Sequence, residues 1–436
     1  MYQLLRNKID AHTFEVIHKS LPTVLVKLAG MVIGLLVSIY LGRVLGADGL
    51  GVVNLVNRFV SITLIITMFG FDNVIVKNVA VARLKSDSKD NISSVIYSSL
   101  IFNSGLAILV TIIGITFASS LAYDLFRDEN LYYPLIIAFS VLLPQTLSRV
   151  FSAGLLGYKK IWQSNLVNEA LSFAVVGILL ILAPVFNFSL NVLTVSIMYA
   201  CGRIIVMLVT GSIFRYTHGV IKRGLIQVTY MLNMAKPLLL ASATHVVAIN
   251  VDTIMLGWLG DSYQVGIYTV SSRVAILSSF VLQVTNSALS PKIAALFADK
   301  KGEEMGLMIR QVTKGLFWFG ILVLIVNVVL GQFLLSFWGK EFVEGYIVLV
   351  ILTLGQFVNL STGAVGLTLI MTGHEKIQGR LSLFFMCLNV LLNLIFIHFF
   401  HMVGAAIATT ITVVLENLTK YYFVKKLVGV NTFSII

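Results

Sequence analysis

Inside a lipid bilayer every backbone N–H and C=O must find its partner within the protein, so a long uninterrupted apolar run commits a chain to helix. This chain carries such runs in series. Between short polar breaks lie residues 21–43, 51–74, 92–118, 131–156, 165–185, 190–213, 237–259, 264–290, 311–337, 345–370, 378–400 and 402–424. A helix needs about 20 apolar residues to cross the hydrocarbon, and each run is long enough. Charged residues make up 11% of the 436 and hydrophobic ones 58%, whereas a soluble chain carries about 25% charged residues. The expected class is therefore an all-α polytopic membrane protein with twelve transmembrane helices. The first run exceeds the apolar core of a signal peptide, about 7–15 residues, and residues 1–20 read as an amphipathic cytoplasmic lead-in.

Lysine and arginine orient the spans. The segments before the first span, after each even span and at the C-terminus hold twenty-one of them, including Lys77, Arg83, Lys159, Lys160, Arg215, Lys222, Lys300 and Lys425. The opposite loops hold three, Arg43, Arg127 and Lys340, beside Asp124, Asp128, Glu129, Glu341 and Glu344. That asymmetry places both termini in the cytoplasm. The net charge of +12 is spread over these short loops, a pattern of topology signals and lipid-headgroup contacts that gives nucleic acid no continuous face. No loop has room for a soluble catalytic domain. Cys201 and Cys387 both lie inside apolar runs and read as packing residues.

Between the first two runs stands LGRVLGADGLG, residues 41–51. Three glycines beside a cation invite comparison with a phosphate loop, but no GxxxxGK[ST] occurs and no strand precedes it. A tight external turn fits better. The stretch has an echo 215 residues later, LGWLGDSYQVG at 256–266, which aligns Pro22 with Pro237, Gly42 with Gly257, Gly51 with Gly266 and Arg58 with Arg273. GYKKI (157–161) and GHEKI (373–377) repeat at nearly the same offset. The expected architecture is two six-helix lobes, an N-lobe of 21–213 and a C-lobe of 237–426. A cytoplasmic linker of 214–236 joins them and a tail of 427–436 follows. Six spans per lobe is an even number, so a pseudo-twofold along the membrane normal should relate the lobes, with the site between them.

The segment YLGRVLGADGLGVVNLVNRF (40–59), GLLGYKKI (154–161) and this topology resemble the polysaccharide-biosynthesis and O-antigen repeat-unit flippases of the multidrug/oligosaccharidyl-lipid/polysaccharide (MOP) exporter superfamily. The resemblance implies a flippase, not an enzyme, in the cytoplasmic (inner) membrane. It would carry undecaprenyl-diphosphate-linked oligosaccharide to the outer leaflet by alternating access, beside a polysaccharide polymerase and chain-length machinery. Two other readings stand beside it. One is a cation-coupled multidrug exporter of the same superfamily, which should favour deep acids over deep cations. The other is a membrane polysaccharide polymerase, which should carry a large external loop.

Ionisable side chains at helix depth cost about 2.5–3.5 kcal/mol each on insertion scales and tend to face a cavity. Arg58 and Arg273 lie seven residues past the paired glycines Gly51 and Gly266, about 10 Å along a helix. Lys27 and Arg149 approach from the other side. Guanidinium forks bind a diphosphate well, so these four, with Asn57 and Asn250 for the sugars, form the expected substrate cavity. The competing role for the two arginines is to clamp helix-end carbonyls. Asp252 is expected at a similar depth, within reach of Arg273. With no nucleotide site and no metal-ligand spacing, no cofactor is expected beyond a coupling H+ or Na+. Asp252, Glu416 and His245 are the coupling candidates.

Overall fold

The computed structural model describes residues 11–84, 88–224 and 227–432. Among these residues the chain is helical, with no strand. Seven helices are long and apolar enough to cross a membrane, or up to ten when each bent pair counts as one crossing. The chain is a multi-pass membrane protein.

Two of the seven are too long for a single crossing. Pro22–Met68 runs 47 residues and Glu375–Val428 runs 54, each well over twice what the hydrocarbon requires. Each is broken by one non-helical residue, Gly46 (φ 69, ψ −176) in the first and His401 (φ 52, ψ −129) in the second. The expected turn at 41–51 therefore narrows to a single hinge glycine. At the second break Gly404 permits the return, since a Cβ there would stand 1.9 Å from the Phe396 carbonyl oxygen.

Five expected spans divide. The run 165–185 bends by 44° between Asn168 and Ser172, and 345–370 breaks at Gly363 (φ 71) between Tyr346–Thr362 and Val365–Met371. The other three have clear local causes. The run 51–74 stops at Met68, because Phe69 (φ 47) and Gly70 (φ 78) are consecutive left-handed residues, and Phe71–Ala82 forms its own helix. The run 131–156 bends by 45° between Ser140 and Leu142. Pro144 explains this bend: its ring lacks an N–H and collides with the carbonyl four residues back, at Ser140. The run 264–290 bends by 43° between Ile276 and Ser279, where the Ser278 hydroxyl donates to the Ala275 carbonyl at 2.9 Å and weakens the helix ladder.

The expected lead-in lies outside the described residues up to position 10. From Ala11 the backbone is already helical and continues into the first span. The expected linker is shorter than 214–236, since Val192–His218 extends into it from one side and Val228–Leu259 from the other; residues 225–226 lie outside the description. The last helix runs to Val428, and 433–436 of the expected tail are likewise outside.

The chain forms two compact units. One comprises residues up to Val44, Val60–Ala122 and Glu129–Ser242; the other comprises Leu45–Phe59, Tyr123–Asp128 and Ala243–Ile436. The division differs from the expected boundary at 214–236, because two pieces of the first half, 45–59 and 123–128, pack with the second. The core of the first unit is built on Met68, Phe71, Ile75, Ile96, Val150 and Phe214, with the rings of Phe71 and Phe102 stacked at 5.0 Å. In the second unit Ile293, Met305, Ile309, Leu369 and Val424 pack together.

Within the second unit, residues 47–59 and the helix Ser262–Ile276 touch backbone to backbone. A Cβ on Gly51 would stand 1.7 Å from the Ser262 carbonyl oxygen, and one on Gly266 would stand 1.9 Å from that of Ala47. Neither obstacle is a side-chain end that could swing away. G51A and G266A are each expected to lower stability by about 1–3 kcal/mol, the usual range for overpacking. The measurement is the thermal unfolding midpoint in detergent; midpoints equal to wild type would refute the close approach.

Candidate functional site

The close approach of these two helices sets the site. One turn past Gly51, Asn54 Nδ2 donates to Thr269 Oγ1 at 2.9 Å. These partners are 215 residues apart, the offset of the sequence echo. The glycine contacts share that register, for Gly51 meets Ser262 and Gly266 meets Ala47, and each pair maps onto the other under the same shift.

Arg58 follows Asn54 by four residues, so both lie on one face of the helix. Its Nη1 donates to Asn250 Oδ1 at 3.1 Å, and Asn250 Nδ2 donates back to its own helix at Val246 O. Asp252 and Tyr268 lie within electrostatic reach of the guanidinium.

Asp252 is bonded through both of its carboxylate oxygens. Its Oδ2 accepts from Thr409 Oγ1 at 2.6 Å and from Tyr268 OH at 3.1 Å, and its Oδ1 accepts from Asn393 Nδ2 at 2.7 Å. Asn393 Nδ2 also reaches Asn389 Oδ1 at 3.1 Å. Asp252 is 8% exposed and Asn393 is 0%, so these donors replace the water that a carboxylate would otherwise require. Asn393 Oδ1 is buried and has no hydrogen-bond partner among the described residues. Two hydroxyls and one amide N–H donate to the carboxylate, and Asn389 Oδ1 accepts from the same amide. The carboxylate and hydroxyl oxygens are hard donors, suited to an alkali cation or a proton and unsuited to a soft transition metal. Among the described residues no three His, Cys, Asp or Glu side chains group as metal ligands.

The sequence-predicted residues therefore separate. Arg58, Asn250 and Asp252 come together in the second unit. Asp252 is held by Tyr268, Thr409 and Asn393, and Arg273 sits half-buried on the same helix as Tyr268. Asn57 turns back to its own helix, donating to Val53 O at 2.9 Å. Lys27 and Arg149 belong to the first unit, where Arg149 interacts with Asp72. Glu416 is bound by Lys420 Nζ at 2.7 Å and by the Ser382 hydroxyl at 3.2 Å, so its charge is already satisfied. His245 is exposed on the protein surface, as are Cys201 and Cys387, which were expected to pack inside. Tyr268, Thr409, Asn389 and Asn393 were not anticipated. The signal for the last two was present, as asparagines four residues apart within the apolar run 378–400 share one helix face.

Residues 16–297 match the family described as polysaccharide biosynthesis protein. The chain belongs to that family. The capsular polysaccharide biosynthesis protein CapF of Staphylococcus aureus is 28% identical over 192 residues, covering 44% of this chain and 48% of CapF. The probable flippase AglR of Haloferax volcanii is 27% identical over 173 residues, covering 38% of this chain and 36% of AglR. The chain thus spans half or less of the length of the curated relatives it matches. Among solved structures, the lipid II flippase MurJ in an inward closed conformation superposes with a TM-score of 0.73 at 15% identity, covering 92% of this chain and 87% of MurJ. An inward-facing multidrug-resistance MATE transporter of the MOP superfamily gives 0.71 at 17% identity, covering 93% and 98%. The chain shares its fold with this flippase and this transporter.

Removing one donor from a buried carboxylate costs about 1.5–3 kcal/mol. N393A and T409A are each expected to lower stability by that amount, and D252N by less because the amide keeps the shape. Denaturation midpoints of the three variants check the ranking, which fails if N393A and T409A match wild type.

Proposed function

We propose that this protein is a flippase for polyprenyl-diphosphate-linked oligosaccharide repeat units. It moves them from the cytoplasmic to the outer leaflet of the cytoplasmic membrane by alternating access, with both termini in the cytoplasm. The observation that carries the reading is Arg58, an arginine inside an apolar helix, held by Asn250 and set beside a buried polar cluster. A guanidinium at that depth offers a forked donor set for diphosphate oxygens, and family membership supports a polysaccharide-linked cargo. Arg273, the partner of Arg58 in the sequence echo, is the second diphosphate ligand. The reciprocal contacts at the 215-residue offset support a duplicated twelve-span chain.

The oxygen cluster at Asp252 is the coupling site in this reading, taking Na+ or H+. Asn393 Oδ1, buried without a partner among the described residues, supplies the oxygen that a bound cation would satisfy. The salt-bridged Glu416 and exposed His245 are weaker candidates. A polysaccharide polymerase and chain-length machinery would consume the delivered units. The similarity to a multidrug-resistance MATE transporter favours a second reading, export of cationic drugs coupled to the same cation.

Deleting the gene in its host separates the two. The flippase reading expects polyprenyl-diphosphate oligosaccharide to accumulate on the cytoplasmic leaflet while surface polysaccharide is lost. Intact polysaccharide with altered drug sensitivity would establish the exporter instead. R58E and R273E should each reduce repeat-unit transport by roughly tenfold or more, the scale of one lost charge-assisted contact. Wild-type transport by an inserted R58E protein would sink the assignment of the cavity.

A further inference from the structure

The two helices that meet through Gly51 and Gly266 begin in different ways. Every helix start leaves N–H groups without partners, and a carboxylate there is favoured by both hydrogen bonding and the helix dipole. The helix Ser262–Ile276 supplies its own cap: Asp261 Oδ1 accepts from Gln264 N at 2.8 Å, and Asp261 Oδ2 accepts from Gln264 Nε2 at 3.1 Å.

The position equivalent to Asp261 at the 215-residue offset is Gly46. Its φ of 69 and ψ of −176 belong to a region open essentially to glycine, so no side chain can cap the helix from that position. Instead Glu341, from the 3-10 turn Glu341–Gly345, reaches across and accepts the Ala47 N–H at Oε1, 2.8 Å away. The same oxygen would stand 3.1 Å from a Cβ on Gly46. One copy caps itself, and the other borrows a carboxylate from 294 residues along the chain.

The borrowed cap sits among like charges. Asp48 interacts electrostatically with Asp128, Asp261 and Glu341, and Asp128 accepts a hydrogen bond from the Ser262 hydroxyl. The helix dipole draws Glu341 in, while these neighbours oppose it. The capped segment is also joined by chain at both ends to the first unit, since Val44 and Val60 belong there. Beyond the cap, the Phe59 ring meets Phe126 edge-on at 5.2 Å, and Arg58 is the residue before Phe59.

We propose that Glu341 is a positioning residue for Arg58, a releasable helix cap that fixes residues 47–59 when engaged and lets them go during transport. The proposal rests on the flippase reading for its role in transport, and on geometry alone for the cap.

The test uses the full-length protein in lipid nanodiscs, comparing wild type with E341A, E341Q and E341D. Hydrogen–deuterium exchange is followed by mass spectrometry over residues 47–50, and repeat-unit transport is measured in parallel. E341A should exchange roughly fivefold faster there, the ratio that loss of an average cap produces. E341Q keeps an acceptor oxygen of the same reach and should restore most of the protection and most of the transport. E341D is one methylene short and should restore neither. Wild-type exchange in E341A overturns the proposal, as does E341Q behaving like E341A. Fast exchange with undiminished transport overturns the positioning role. A wild-type protein that moves no lipid-linked oligosaccharide would instead defeat the flippase reading, leaving the exchange result to judge the cap.

Discussion

The close contact between residues 47–59 and the helix Ser262–Ile276 is what the candidate site depends on. Lipid offers no hydrophobic drive for helices to associate, so small residues that admit backbone contact must supply the packing. Gly51 and Gly266 each face the other helix's carbonyl at a distance no Cβ could occupy. Once the two backbones are held there, the residues one and two turns further on have fixed neighbours: Asn54 reaches Thr269, Arg58 reaches Asn250, and Tyr268 reaches Asp252. A polar site at membrane depth is tolerable only with such fixed partners, because an unmet donor has no water to turn to.

Much of this framework was legible from residue order. Apolar run length gave the membrane class, and the paired glycines marked the helix faces that touch. The boundaries were less legible where a single residue decided them. Gly46 and His401 each interrupt a helix by one unusual backbone conformation that composition does not reveal, and the bend after Ser140 depends on one proline within an otherwise suitable run. The allocation of 45–59 and 123–128 to the second unit was also hidden, because sequence proximity argues for the opposite grouping.

The site was legible in its charges and obscure in its neutral members. Arg58 and Asp252 stand out because charge inside an apolar run is expensive, and both lie in the polar region of the second unit. Their partners are neutral: Asn250, Tyr268, Thr409, Asn389 and Asn393. Neutral polar residues are common enough in membrane helices that none singles itself out. Which of them converge depends on contacts between segments separated by 141 and 157 residues. The expectation that Asp252 would pair with Arg273 assumed that a buried charge seeks an opposite charge. Three neutral donors bond the carboxylate.

The departures from the 215-residue register are as informative as its agreements. Where the two segments touch, the register holds: Gly51 aligns with Gly266, and Asn54 bonds to Thr269, the residue at its own equivalent position. Where they must behave differently, the residues diverge. Asp261 fixes the start of its own helix, whereas Gly46 leaves its helix to be fixed from elsewhere. A backbone conformation reserved for glycine excludes a local cap, so the hinge and the borrowed carboxylate are one requirement seen from two ends. The shared register thus supplies a matched contact surface, and its mismatches set how the start of each helix is held.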